Sequence, residues 1–85
     1  MSYKVDLTKK ALKQIDNLKA TGLYNKAKKI RDLLKADPYP INSKQLYRDL
    51  IGKRSIRINL QHRIVYEVFE EEKIVKILSM WGHYE

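Results

Sequence analysis

Apolar and polar residues recur along this chain with two different periods, and the period changes near its middle. Tyr3 to Leu7 alternates as a short strand. Thr8 is placed to cap a following helix. Ala11, Leu12, Ile15 and Leu18 then recur at helical spacing, with Lys9, Lys10, Lys13 and Lys19 between them, and Gly22 marks the helix end. A second helix follows, with Leu23, Ala27, Ile30, Leu33 and Leu34 as its apolar stripe. Lys26, Lys28, Lys29, Arg31 and Lys35 form a solvated face. Pro38 and Pro40 stop this helix and open an irregular stretch from Asp37 to about Lys44. Two helices joined by so short a turn form an antiparallel hairpin.

Beyond residue 50 the period falls to two. Arg54 to Leu60 alternates, with Ile56, Ile58 and Leu60 on one face and Arg57 and Asn59 on the other. Gln61 lies in a turn. His62 to Phe69 is rich in β-branched and aromatic residues, and Glu70 to Glu72 make an acidic turn. Lys73 to Met80 is apolar enough for a central strand. The element order is strand, helix, helix, strand, strand, strand. That order predicts a two-layer α+β fold, with the helical hairpin on one face of a mainly antiparallel sheet. The other face is expected to be open, where basic side chains line a groove. At 85 residues the chain is expected to be one domain with one small core.

Charge adds the first hint of a partner. Eighteen Lys and Arg oppose ten Asp and Glu, a formal net charge of +8. A small domain this basic commonly meets a polyanion or an acidic protein segment. The chain has no cysteine, which removes disulfides, thiolate metal sites and cysteine nucleophiles. No apolar run approaches the roughly 20 residues that span a bilayer, and Met1 to Lys10 lacks a signal-peptide core. A cytoplasmic protein without a membrane partner is expected.

Candidate chemistry rests on few residues. Of the two histidines, His62 begins a strand and reads as a turn or edge residue. His83, beside Tyr84, either frays or is pinned by the preceding strand at a groove. Arg54, Arg57 and Arg63 gather on one hairpin, with Lys53 at its start and Tyr47 ahead of it, as candidate RNA contacts. Arg57 and Arg63 can approach across the strands and would repel unless an anion sits between them. Guanidinium forks match phosphate oxygens. The competing reading pairs these arginines with Asp49, Glu67 or Glu70. Tyr47, Tyr66, Trp81 and Tyr84 offer stacking faces, or belong to the core. Neither metal-ligand spacing nor a Gly-rich phosphate loop is present, so no metal or cofactor is expected. What remains is acid–base chemistry on a phosphodiester, for which RNA brings its own 2′-hydroxyl nucleophile.

Three segments resemble the Txe/YoeB toxins of toxin–antitoxin modules. Ile58-Asn59-Leu60-Gln61-His62-Arg63-Ile64-Val65-Tyr66 resembles their IN-x-x-HR-[LI]-VY stretch. Trp81-Gly82-His83-Tyr84 resembles their ending x-x-HY, and Leu46-Tyr47-Arg48-Asp49-Leu50-Ile51-Gly52 their L-x-x-[DN]-L-x-G segment. The resemblance implies the RelE/ParE-like fold and ribosome-dependent cleavage of messenger RNA in the decoding site. It also implies a cognate antitoxin, operator DNA contacted through the toxin–antitoxin complex, and frequent dimerisation. By position, Arg63 matches the arginine that stabilises the scissile phosphate, His83 the general acid, Tyr84 an aromatic that holds RNA, and Arg57 a second basic residue of the groove. Two positions depart from the family. Lys44 stands where it has a glutamate general base, and Ile56 stands at the first member of its double arginine. More distant RelE-type toxins rely on lysines in the region of Lys44. The alternatives are a non-enzymatic ParE-like inhibitor and an RNA- or ribosome-binding module on the same fold. A charge of +8 further suits a disordered acidic antitoxin segment that orders on binding.

Overall fold

The computed structural model describes residues 2–47 and 50–82. Its elements run β1 (Lys4–Leu7), α1 (Lys9–Ala20), α2 (Tyr24–Ala36), β2 (Ser43–Gln45), β3 (Lys53–Arg57), β4 (Arg63–Phe69) and β5 (Ile74–Ser79). The strands form one five-stranded sheet in the order β1-β5-β4-β3-β2. Only β1 and β5 run parallel; the other neighbours are antiparallel. The expected two-layer α+β architecture is what the chain adopts.

Local chemistry explains the helix boundaries. The Thr8 hydroxyl accepts from the Ala11 amide at 3.2 Å, capping α1, and donates to the Leu78 carbonyl at 3.1 Å. One side chain therefore starts the helix and fixes it to β5. Gly22 turns the chain between the helices at φ +76°, a conformation costly for other residues. Leu18 and Leu34 of the hairpin pack with Ile56, Ile64, Tyr66, Val75 and Ile77 of the sheet, all fully buried. The Tyr66 hydroxyl donates to the Pro38 carbonyl at 2.7 Å, which fastens the segment after α2 to β4.

Four details differ from the sequence expectation. Part of the irregular stretch is β2, a three-residue edge strand paired with β3. The strand read as Arg54 to Leu60 stops at Arg57, because the Asn59 carboxamide accepts from the Gln61 and His62 amides and turns the chain. Leu60, on that turn, is 82% exposed rather than aligned with Ile56 and Ile58. Leu12 and Leu33 are exposed, while their stripe neighbours Ala11 and Leu34 are buried. The far face of the sheet is not wholly open either. Ser55 and Val65 are buried there, and Leu50 lines a shallow recess with Val65.

A polar clamp closes the other end of the sheet. Glu70, just past β4, accepts from the Tyr3 hydroxyl at 2.8 Å and from the Tyr39 hydroxyl, with the Lys73 ammonium 3.3 Å away. It thus ties the start of the chain, the segment after α2 and the β4–β5 turn together. Hydrogen bonds from Tyr39 and Tyr3 hold the Glu70 carboxyl below the usual glutamate value. Burial, then the bond to Glu70, pushes the Tyr39 hydroxyl up to about 12. The signs of the two contributions are opposite. Glu70 stabilises the fold above its ordinary range and ceases to do so as pH falls. Tyr39 stabilises below the ordinary tyrosine value of about 10 and ceases to do so as pH rises through its folded value. The melting-temperature advantage of the native protein over Glu70→Gln should therefore be present at pH 7 and shrink below the ordinary glutamate range. An advantage unchanged at pH 3 would rule the clamp out.

Candidate functional site

Pairing between β3 and β4 sorts their side chains. Ile56↔Ile64 and Arg54↔Tyr66 lie on the helix side, where Ile56, Ile64 and Tyr66 join the core. Lys53↔Glu67, Ser55↔Val65 and Arg57↔Arg63 therefore lie on the far face. Lys44 of β2 pairs with Ser55 and shares that face. Asn42, Lys44, Arg57 and Arg63 together line a groove of about 260 Å³.

Among the described residues the groove is cationic and uncompensated. Arg57 and Arg63 are directly opposite each other across the hairpin, an arrangement that repels in the absence of an anion. Among the described residues, none of Lys44, Arg57 or Arg63 is in an ion pair. Glu67 faces Lys53 at 4.0 Å, and Glu70 belongs to the clamp. Asp49 lies outside the described residues. Arg63 is held from below: its Nη1 donates to the Ser55 hydroxyl at 3.3 Å. Its Nε is buried with no hydrogen-bond partner among the described residues. A guanidinium fixed at one nitrogen, with donors to spare, suits an anion with several oxygens.

The other sequence candidates separate. Arg54 points to the helix side, where Nη2 donates to the Ser43 hydroxyl at 2.8 Å and the guanidinium lies 5.3 Å from the Tyr39 ring centre. It braces β2 and does not line the groove. Lys53 shares the groove's face but sits toward the far end of the hairpin, opposite Glu67. Tyr47 is exposed just after β2 and is not among the groove's lining residues. Tyr66 is core, and Trp81 stacks on His62. His83 and Tyr84 lie outside the described residues. Asn42 lines the groove without any sequence signal having marked it. His62 has more than the turn role expected of it. Its ring stacks on Trp81 with centroids 3.8 Å apart, and its Nδ1 accepts from the Gly82 amide at 3.0 Å. The Arg63 amide donates to the Gly82 carbonyl at 3.1 Å. Among the described residues no group of three His, Cys, Asp or Glu side chains is placed to hold a metal ion. No helix among them is long and apolar enough to cross a membrane.

No family model and no curated protein matches the sequence. Solved structures do match. A YoeB/ParE toxin from Agrobacterium tumefaciens superposes with a TM-score of 0.86 at 22% identity, over 95% of this chain and 99% of that one. The toxin–antitoxin complex RelBE2 from Mycobacterium tuberculosis gives 0.79 at 25% identity, over 98% and 100%. YafQ from Escherichia coli gives 0.79 at 15% identity, over 95% and 93%.

The chain has the RelE/ParE-like fold.

The match covers nearly the whole chain in each case, so all five strands and both helices are part of the RelE/ParE arrangement. Within that RelE/ParE scaffold the cationic groove is built by β2, β3 and β4, the three strands at one side of the sheet.

Proposed function

We propose that this chain is the toxin of a toxin–antitoxin pair and a metal-independent endoribonuclease, cutting messenger RNA in the decoding site of the ribosome. The observation that carries the reading is the convergence of Lys44, Arg57 and Arg63 on one groove, with no carboxylate among the described residues that line it. A phosphodiester between Arg57 and Arg63 relieves their repulsion. Its oxygens take the free donors of Arg63, and Lys44 adds a third positive charge as the phosphorane gathers negative charge. The 2′-oxygen bonds to phosphorus as a solvent water takes its proton, and the bond to the 5′-oxygen breaks. His83, one residue beyond Gly82, delivers a proton to the departing 5′-oxygen, and Tyr84 holds the neighbouring RNA. Lys44 is assigned to the phosphate, because it stands among cations where the related toxins have a carboxylate.

The partners follow from the same charge. Structures of this fold include toxin–antitoxin complexes from Staphylococcus aureus and Pyrococcus horikoshii, and a YoeB dimer from Staphylococcus aureus. A cognate antitoxin with an acidic segment suits a toxin of net charge +8, and operator DNA would be met through that complex. The chemistry of the cut ends tests the mechanism. Fragments should carry a 5′-hydroxyl and a 2′,3′-cyclic phosphate, so that a kinase labels them without prior phosphatase treatment. Fragments ending in a 5′-phosphate would exclude attack by the 2′-hydroxyl.

A further inference from the structure

The chain beyond β5 no longer has a strand to pair with, yet each of its described residues is tethered. The Ser79 hydroxyl donates to the Trp81 carbonyl at 3.2 Å, and the Met80 amide donates to the Gln14 carboxamide at 2.7 Å. The Trp81 ring stacks on His62. Gly82 uses both of its backbone groups, its amide toward His62 Nδ1 and its carbonyl toward the Arg63 amide. Gly82 does this at φ +103°, where a side chain would be strained. Two adjacent residues, His62 and Arg63, thus hold both backbone groups of Gly82, and the second of them lines the groove.

We propose that His62 is a positioning residue: its stack on Trp81 and its bond from the Gly82 amide fix the backbone at Gly82 against the strand that carries Arg63. This rests on the reading that His83, the next residue, supplies the proton to the leaving oxygen. The geometry requires an acceptor at Nδ1, so the neutral ring carries its proton on Nε2. His62 itself is not a member of the buried core. It lies at the hairpin turn, and its own amide is already satisfied by Asn59. What its ring holds is the segment after β5. An error of about 1 Å in a reacting group costs roughly 10²-fold in rate, so a tether of this kind matters more to catalysis than to stability.

Two substitutions separate the two contacts. His62→Phe keeps a stacking ring and removes the acceptor. His62→Asn removes the ring and places a carboxamide oxygen near the position of Nδ1. Both variants should melt as cooperatively as the native protein. Exchange of the Gly82 amide, followed by NMR, should be protected in the native protein, lost in His62→Phe and restored in His62→Asn. Emission of Trp81, the chain's one tryptophan, should change in His62→Asn and report the loss of the stack. On messenger-programmed ribosomes, kcat should fall about 10- to 100-fold in His62→Phe with KM unchanged, and recover in His62→Asn. A His62→Phe protein with full kcat and an unprotected Gly82 amide would overturn the proposal, as would a Gly82 amide unprotected in the native protein. If the native protein cuts nothing on ribosomes, the nuclease reading fails, and His62 loses its catalytic role even where the Gly82 amide proves protected.

Discussion

Arg63→Ala should remove the proposed messenger RNA cleavage, lowering its rate by roughly 10²–10³, and leave the protein folded. The expected loss follows from where the guanidinium stands. It is fixed at Nη1 by Ser55, faces Arg57 across the hairpin, and keeps a buried Nε without a partner among the described residues. In the proposed transition state the Arg63 donors that Ser55 leaves free would meet an extra negative charge. The same facts give the expected stability. Alanine removes one long hydrogen bond, a cross-strand repulsion and a buried unsatisfied donor, so the melting temperature should hold or rise. Arg63 would then be a residue kept for function at no benefit to the fold. Thermal melting beside single-turnover cleavage checks both halves. A variant that unfolds would show that Arg63 is structural, and one that cuts at the native rate would remove it from the site. Arg63→Lys should recover little, since a single ammonium cannot reproduce the fork.

His83→Ala should have the second large effect, a loss of roughly 10²–10⁴ in rate at neutral pH. Arginines and lysines stabilise charge but are poor proton donors to an alkoxide near neutrality, and among the described residues that line the groove no other acid is available. The Gly82 backbone is bonded to Arg63, so the chain arrives beside the groove one residue before His83. The signature is specific to a leaving-group acid. A substrate whose 5′-oxygen is replaced by sulfur leaves without a proton, and the variant should cut it nearly as fast as the native protein does. Equal impairment on both substrates would assign His83 to binding.

The fold was legible where periodicity carries it. Ala11, Leu18, Ala27 and Leu34 repeat at helical spacing, Ile56 and Ile58 alternate, and Thr8 caps α1 as its position suggests. β2 was hidden because Ser43-Lys44-Gln45 is short, polar and at the sheet edge, so its register comes from β3 and not from its own pattern. The site inherited that blind spot. Arg57 and Arg63 were expected to approach each other and do stand opposite, but the place of Lys44 beside them depends on the unseen strand. Arg54 shows the reverse. It shares parity with Ile56, so alternation alone assigns it to the helix side, away from the groove. Leu60 follows the alternation on paper, yet the Asn59 turn ends the strand before it. The contact of His62 with Trp81 and Gly82 joins positions some twenty residues apart, and no local pattern encodes it.

Primer extension on a reporter messenger RNA, with purified ribosomes and this protein beside Arg63→Ala, tests the central claim most directly. Expected are new cuts that require the ribosome, appear with the native protein and vanish with the folded variant. A native protein that is folded and arrests growth but cuts nothing would contradict it, and would move the activity to inhibition by binding.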